Sequence, residues 1–131
     1  MRLLLDTHIA LWTIADHPSL SGKARRLIDD PDNQIVVSTA TIWEIAIKYA
    51  LGRGRPNAMP ISGQEALGYF REAGFEILDI SAAHTIGIEA LPPLHADPFD
   101  RMLVAQAMAV PLRLLTHDQR VADYSDSIIM V

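Results

Sequence analysis

Asp6, Glu44, Asp97, Asp100 and Asp118 are the residues of this chain best suited to chemistry. Asp6 closes the apolar run Leu3–Leu5, and Asp118 follows the run Leu112–Leu115 by a short turn. Glu44 lies one turn into a helix expected after a second apolar strand, and Asp97 and Asp100 open a helix that starts at Pro98. In open α/β sheets ligands gather outside the carboxyl ends of the parallel strands, where these acids fall. Clustered carboxylates repel one another, so such a group persists with a compensating cation or shared protons. Oxygen ligands suit Mg²⁺ or Mn²⁺, and a metal held there can drive phosphodiester hydrolysis. Other chemistries lack their residues. There is no cysteine, no glycine-rich dinucleotide or nucleotide loop, and no HExxH spacing among His8, His17, His84, His95 and His117.

Each acid also has an ordinary structural job open to it. Asp97 before Pro98 is a natural N-cap, and Asp100 at the third helical position suits the helix dipole. Glu44 precedes Lys48 by four residues, the favourable order for a helical ion pair. Asp118 can cap the turn after Thr116-His117. Asp6 is the exception, because a carboxylate at the end of a buried strand has no cheap structural use. Thr7, Thr116 and Asp97 flank the acids and could orient a ligand or water; backbone capping serves the two hydroxyls equally well. His8 and His95 read as rim or capping residues, and Trp12 and Trp43 as core. Lys48, Arg53 and Arg55 are the basic residues beside the rim, either solvated or touching phosphate.

The elements that must carry these residues follow from the pattern. Strands are expected at Leu3–Leu5, Gln34–Ser38, Phe75–Leu78, Leu112–Leu115 and Ser127–Val131. Helices are expected from Ile9 to Ala15, after the Ser21 cap, from a Thr39 or Thr41 cap to about Ala50, and from Ser62 to near Gly74. Two more run from the Ser81 cap to about Leu91 and from Pro98 to Val110, with a short turn at Asp118. The segment from Gly52 to Pro60 is a loop. Strands alternate with helices and are apolar throughout, the mark of an α/β fold with a central parallel sheet flanked by helices.

Length and composition agree. At 131 residues one domain, 1–131, is expected. Half the residues are hydrophobic, which excludes a disordered chain. Sixteen acids against 11 Lys+Arg leave a net charge of -5, wrong for holding nucleic acid by bulk charge alone. No apolar run approaches the ~20 residues of a membrane span, so no membrane and a cytoplasmic location are expected.

Four blocks in order carry a resemblance over almost the whole chain: Leu3 to His8, Val37 to Ile45, His95 to Ala107, and Leu114 to Asp118. Together they resemble the PIN domain, and more narrowly the VapC-type toxins of bacterial type II toxin–antitoxin pairs. The resemblance implies a three-layer α/β sandwich and Mg²⁺- or Mn²⁺-dependent endoribonuclease activity. It makes Asp6, Glu44 and Asp100 the central catalytic acids and Asp118 the fourth. Asp6 and Asp100 would bind the principal metal ion, while Glu44 and Asp118 complete the cage and position water. Arg101 and Gln106 match residues common around the third acid. The implied partners are an RNA substrate, a small antitoxin and a second copy in a homodimer; apolar surface around Trp12 and Trp43 would suit the antitoxin. Two other readings remain. A receiver-like signalling domain would want a lysine after a late strand, where Thr116-His117 stands. A non-catalytic binding domain would use its acids as caps.

Overall fold

The computed structural model describes residues 1–131. Five strands form one sheet: β1 (Arg2–Leu5), β2 (Gln34–Ser38), β3 (Glu76–Leu78), β4 (Arg113–Thr116) and β5 (Ile129–Met130). All neighbours are parallel and the order is β3-β2-β1-β4-β5. Seven α-helices connect them: α1 (Thr7–Ala15), α2 (Gly22–Asp29), α3 (Thr39–Gly52), α4 (Gly63–Glu72), α5 (Ala82–Gly87), α6 (Pro98–Ala109) and α7 (Gln119–Ala122).

The leucines of β1 explain the layering. Side chains alternate along a strand. Leu3 and Leu5 pack with Ile9, Val37, Ile45 and Phe70, whereas Leu4 packs with Val36, Leu103, Val104 and Leu114. Both faces of the sheet are therefore buried, one under α1, α2 and α4 and the other under α6 and α7. Helix α3 contributes to both cores, through Ile45 and Ala40. This is a three-layer α/β sandwich, and continuous apolar strands are what such a sheet requires.

From β1 the chain steps outward to β2 and β3, then returns across the sheet to place β4 on the other side of β1. The reversal puts the switch point between the carboxyl ends of β1 and β4, where such sheets leave a crevice. The two ends are joined: the Asp6 amide donates to the Leu115 carbonyl at 3.0 Å.

Several boundaries differ from the sequence reading, for local reasons. Helix α1 starts at Thr7 rather than Ile9 because the Asp6 carboxylate accepts from the Ile9 amide and caps it. Strand and helix meet with no loop between them, and Asp6 has a structural job after all. The cap of α3 is Ser38, whose hydroxyl accepts from the Ala40 amide, rather than Thr39 or Thr41. Helix α5 stops at Gly87 and continues as a 3-10 turn over Ile88–Ala90, where the Ile88 and Leu91 carbonyls turn to Arg101. Strand β5 holds two residues rather than five. Trp43 is not core: it is 54% exposed and packs edge-on against Phe99, because α3 turns Ile45 inward. Trp12 is half-buried against the first core, with the His117 and His17 rings beside it.

Candidate active site

The carboxyl end of β1 delivers the first acid. Asp6 is 4% exposed, and both its oxygens are engaged. Oδ1 accepts from the Ile9 amide at 2.9 Å, and Oδ2 accepts from the Thr116 hydroxyl at 2.5 Å. Thr116, the last residue of β4, also accepts the Asp118 amide at 3.0 Å. One hydroxyl thus ties the ends of the two strands that flank the switch point. His117 Nδ1 lies 4.0 Å from Asp6 Oδ2.

Glu44 is equally buried and comes from the second turn of α3. The Thr7 hydroxyl donates to its Oε1 at 2.7 Å, and Lys48 Nζ donates to Oε2 at 2.6 Å, the i,i+4 pair read from the sequence. The Thr41 hydroxyl sits 3.3 Å from that of Thr7. Since Thr7 spends its proton on Glu44, Thr41 is the donor in that contact. Thr41 thereby supports the site from one turn earlier on α3, a role hidden in a sequence where it read only as a cap.

The third group comes from the start of α6 and the turn after β4. Asp97 is the N-cap of α6, its Oδ1 accepting from the Phe99 and Asp100 amides at 2.8 and 3.0 Å. Asp100 sits one turn in. Asp118 caps α7 through the Arg120 amide, and the Arg120 guanidinium reaches its Oδ2 at 3.2 Å. His95 Nε2 lies 3.0 Å from Asp100 Oδ2 and 3.3 Å from Asp118 Oδ2. A ring read as rim or cap is therefore inside the cluster. Its position two residues before a capping Asp was the available signal, because that spacing lets Nδ1 accept the Asp97 amide at 3.1 Å.

The electrostatics show which of these carboxylates meet. Burial pushes the Asp6 carboxyl above the ordinary range, against the hydrogen bonds from Thr116 and Ile9. Asp100 is pushed up to about 6, first by burial, then by the charges of Asp97, Asp6 and Glu44, with His95 opposing. Asp118 goes the other way: partial burial raises it, but hydrogen bonds from Arg120 outweigh that and hold it below the usual range. Asp6, Glu44, Asp97 and Asp100 thus share one region of negative potential, with Asp118 joined to Asp100 through His95.

A divalent cation fits this arrangement. One carboxylate oxygen each from Asp100 and Asp118 and a ring nitrogen of His95 lie within 4.8 Å of one another, so the two carboxylates can meet at one ion with the imidazole beside them. The donors are mostly carboxylate oxygens, suited to a hard ion. Burial first, then the charges of Asp97, Asp6 and Glu44, raise the Asp100 carboxyl, and a cation would relieve that repulsion. Asp6 stands outside the tightest group.

The sequence model of the PIN domain matches residues 3–126. The chain belongs to the PIN domain family. Among curated relatives, the ribonuclease VapC16 of Mycobacterium tuberculosis is 37% identical over 73 residues. That match spans 53% of this chain and 50% of the relative, so about half of each. Among solved structures, VapBC2 from Rickettsia felis, bound to a DNA fragment from its promoter, superimposes with a TM-score of 0.70. It shares 22% identity over 100% of this chain and 98% of that one. DNA-bound VapBC from Salmonella typhimurium gives a TM-score of 0.64 at 17% identity over 100% and 97% of the two chains. At these identities the likeness is one of fold. Within this PIN domain, Arg101 leaves the site to hold carbonyls of the loop before α6. Gln106 is fully buried and faces α5, where its Nε2 lies 3.3 Å from His84 Nδ1.

Proposed function

We propose that this PIN domain, a single nuclease unit over residues 1–131, is a metal-dependent endoribonuclease and the toxin of a toxin–antitoxin pair. The observation that carries the reading is the convergence of Asp6, Glu44 and Asp100 at the switch point, where, after burial, the charges of Asp97, Asp6 and Glu44 raise the Asp100 carboxyl. Asp6 and Asp100 are the principal ligands for Mg²⁺ or Mn²⁺, and Asp118 completes the cage. When bound, the ion polarises a phosphoryl oxygen and makes water a better nucleophile at neutral pH. The protein's part is positional. Thr116 and the Ile9 amide fix both Asp6 oxygens, so that carboxylate keeps one orientation. Thr7 and Lys48 fix Glu44, which would position the attacking water. Lys48 also brings a positive charge to the rim where an RNA backbone would pass.

The partner reading rests on a groove beside α1. It has a volume of about 780 Å³ and is lined by Trp12, Leu11, Leu51, Met59 and Tyr69 among others. An antitoxin segment with an apolar face would seat there, and its Arg or Lys would meet the acids of a chain carrying -5. The named complexes among the structural neighbours are in keeping with such a partner. We also infer a homodimer and a cytoplasmic location; no helix is long and apolar enough to cross a membrane.

The test is RNA cleavage by Asp6→Asn beside the natural protein. The variant should lose cleavage at least a hundredfold, a change of about 3 kcal/mol in the barrier, while keeping its fold. Undiminished cleavage by the variant would remove the reading. Co-expression of the product of the adjacent gene should relieve growth arrest if the toxin assignment is right.

A further inference from the structure

We propose that His95 is a positioning residue whose Nε2 hydrogen holds the carboxylates of Asp100 and Asp118 side by side. The inference deepens the metal-site reading and rests on it for its purpose.

The ring is fixed from both ends. Its side chain is 7% exposed, while those of Asp100 and Asp118 are 24% and 25% exposed, so the imidazole lies beneath the two acids. On the backbone side, the His95 amide donates to the Tyr124 hydroxyl oxygen at 3.0 Å. Arg101 donates to that same oxygen at 3.2 Å and to the His95 carbonyl at 3.4 Å. Its guanidinium also takes the Pro92 carbonyl at 3.1 Å. Arg101 therefore organises the loop that carries His95, and Tyr124 anchors it to the segment after α7.

The hydrogen bonding then selects the tautomer. Nδ1 accepts the Asp97 amide hydrogen at 3.1 Å, so Nδ1 carries a lone pair and the ring's own hydrogen sits on Nε2. Nε2 hydrogen-bonds Asp118 Oδ2 at 3.3 Å and lies 3.0 Å from Asp100 Oδ2, a close polar contact with the second carboxylate. A ring acting as a ligand through Nε2 would need its lone pair there and its hydrogen on Nδ1, pointed at the Asp97 N–H. The backbone of the helix cap thus makes the imidazole a donor to the carboxylates. The consequence concerns the cation. Asp100 and Asp118 come from different elements; Arg120 also donates to Asp118 Oδ2 at 3.2 Å, and the His95 N–H adds the link from that carboxylate to Asp100, holding the two together before any ion arrives.

Two measurements test this without RNA. In the metal-free natural protein, long-range ¹H–¹⁵N spectra of the histidine rings should show the hydrogen of His95 on Nε2. A hydrogen on Nδ1, in a neutral or a doubly protonated ring, overturns the proposal. Mn²⁺ affinity by calorimetry should fall roughly 10–100-fold in His95→Ala, with His95→Gln, which keeps an N–H in reach of the acids, recovering most of the loss. Equal loss in both variants would make Nε2 a ligand, and no loss in His95→Ala would make the ring a packing residue; either overturns the proposal. If His95→Ala does not fold, the natural protein's ring spectrum and His95→Gln decide the matter. An inactive natural protein that still shows this tautomer and this Mn²⁺ dependence would sink the nuclease reading and leave the clamp standing.

Discussion

The two sides of the acidic cluster are built by different means. On the Asp6–Glu44 side the carboxylates are buried, and hydroxyls from β4 and α1 or a lysine from α3 occupy their oxygens. On the Asp100–Asp118 side the carboxylates are a quarter exposed, and caps, a helix start and one imidazole place them. The first side is a product of the core: moving Asp6 means moving β1. The second depends on a loop that Arg101 and Tyr124 hold together. Acids fixed by the core thus stand beside acids placed by a loop and an imidazole, so the second side can be altered without disturbing the sheet.

Several substitutions would break or sharpen that contrast. Asp100→Asn should act most strongly, and oppositely on activity and stability. Cleavage and Mn²⁺ binding should disappear. In chelator at pH 7 the variant should be more stable than the natural protein by up to about 3 kcal/mol. The sign follows from the raised carboxyl. A group at about 6 in the fold and near 3.8 unfolded binds its proton more tightly when folded, so its ionisation costs stability as pH rises between those values. The variant's advantage in melting temperature should therefore shrink steadily from pH 7 to pH 4. An advantage independent of pH would mean that the Asp100 charge is already compensated.

Thr116→Val should come next. It leaves Asp6 Oδ2 without its donor and the Asp118 amide without its acceptor, a loss of roughly 1–3 kcal/mol visible in chemical denaturation. Thr7→Val should cost less on the same side, because Lys48 still pairs with Glu44. Near-neutral effects in both would show that the buried side is less rigid than its hydrogen bonds imply. The smallest effect belongs to the cap. Asp97→Ala should lose about 1 kcal/mol, while Asp97→Asn should hold both stability and much of the activity. If Asp97→Asn proved as inactive as Asp100→Asn at unchanged stability, Asp97 would belong among the metal ligands.

The buried side was the more legible of the two. Leu3–Leu5 is apolar without alternation and Leu112–Leu115 is broken only by Arg113, which announces central parallel strands, and acids just beyond them fall at the switch point. The Glu44–Lys48 pair and the Asp97 cap are i,i+4 and i,i+3 relations, so local spacing carried them. What escaped was long-range or a matter of which way a helix faces. Trp43 looked like core because it is apolar and large, yet its neighbour Ile45 takes the inward direction. The place of His95 depends on Tyr124 and Asp118, 29 and 23 residues away, and nothing in local spacing joins them. Asp6 was expected to have no structural duty and proved to cap α1, because strand and helix abut without a loop.

The central claim, that these acids form a metal-dependent nuclease centre, is tested most directly by titrating Mn²⁺ into purified, chelator-treated protein. Thermal stabilisation and single-turnover RNA cleavage would be followed on the same samples. Both should rise over one range of Mn²⁺ concentration, with no cleavage before metal is added. Cleavage by the natural protein at its full rate in excess chelator would contradict the account.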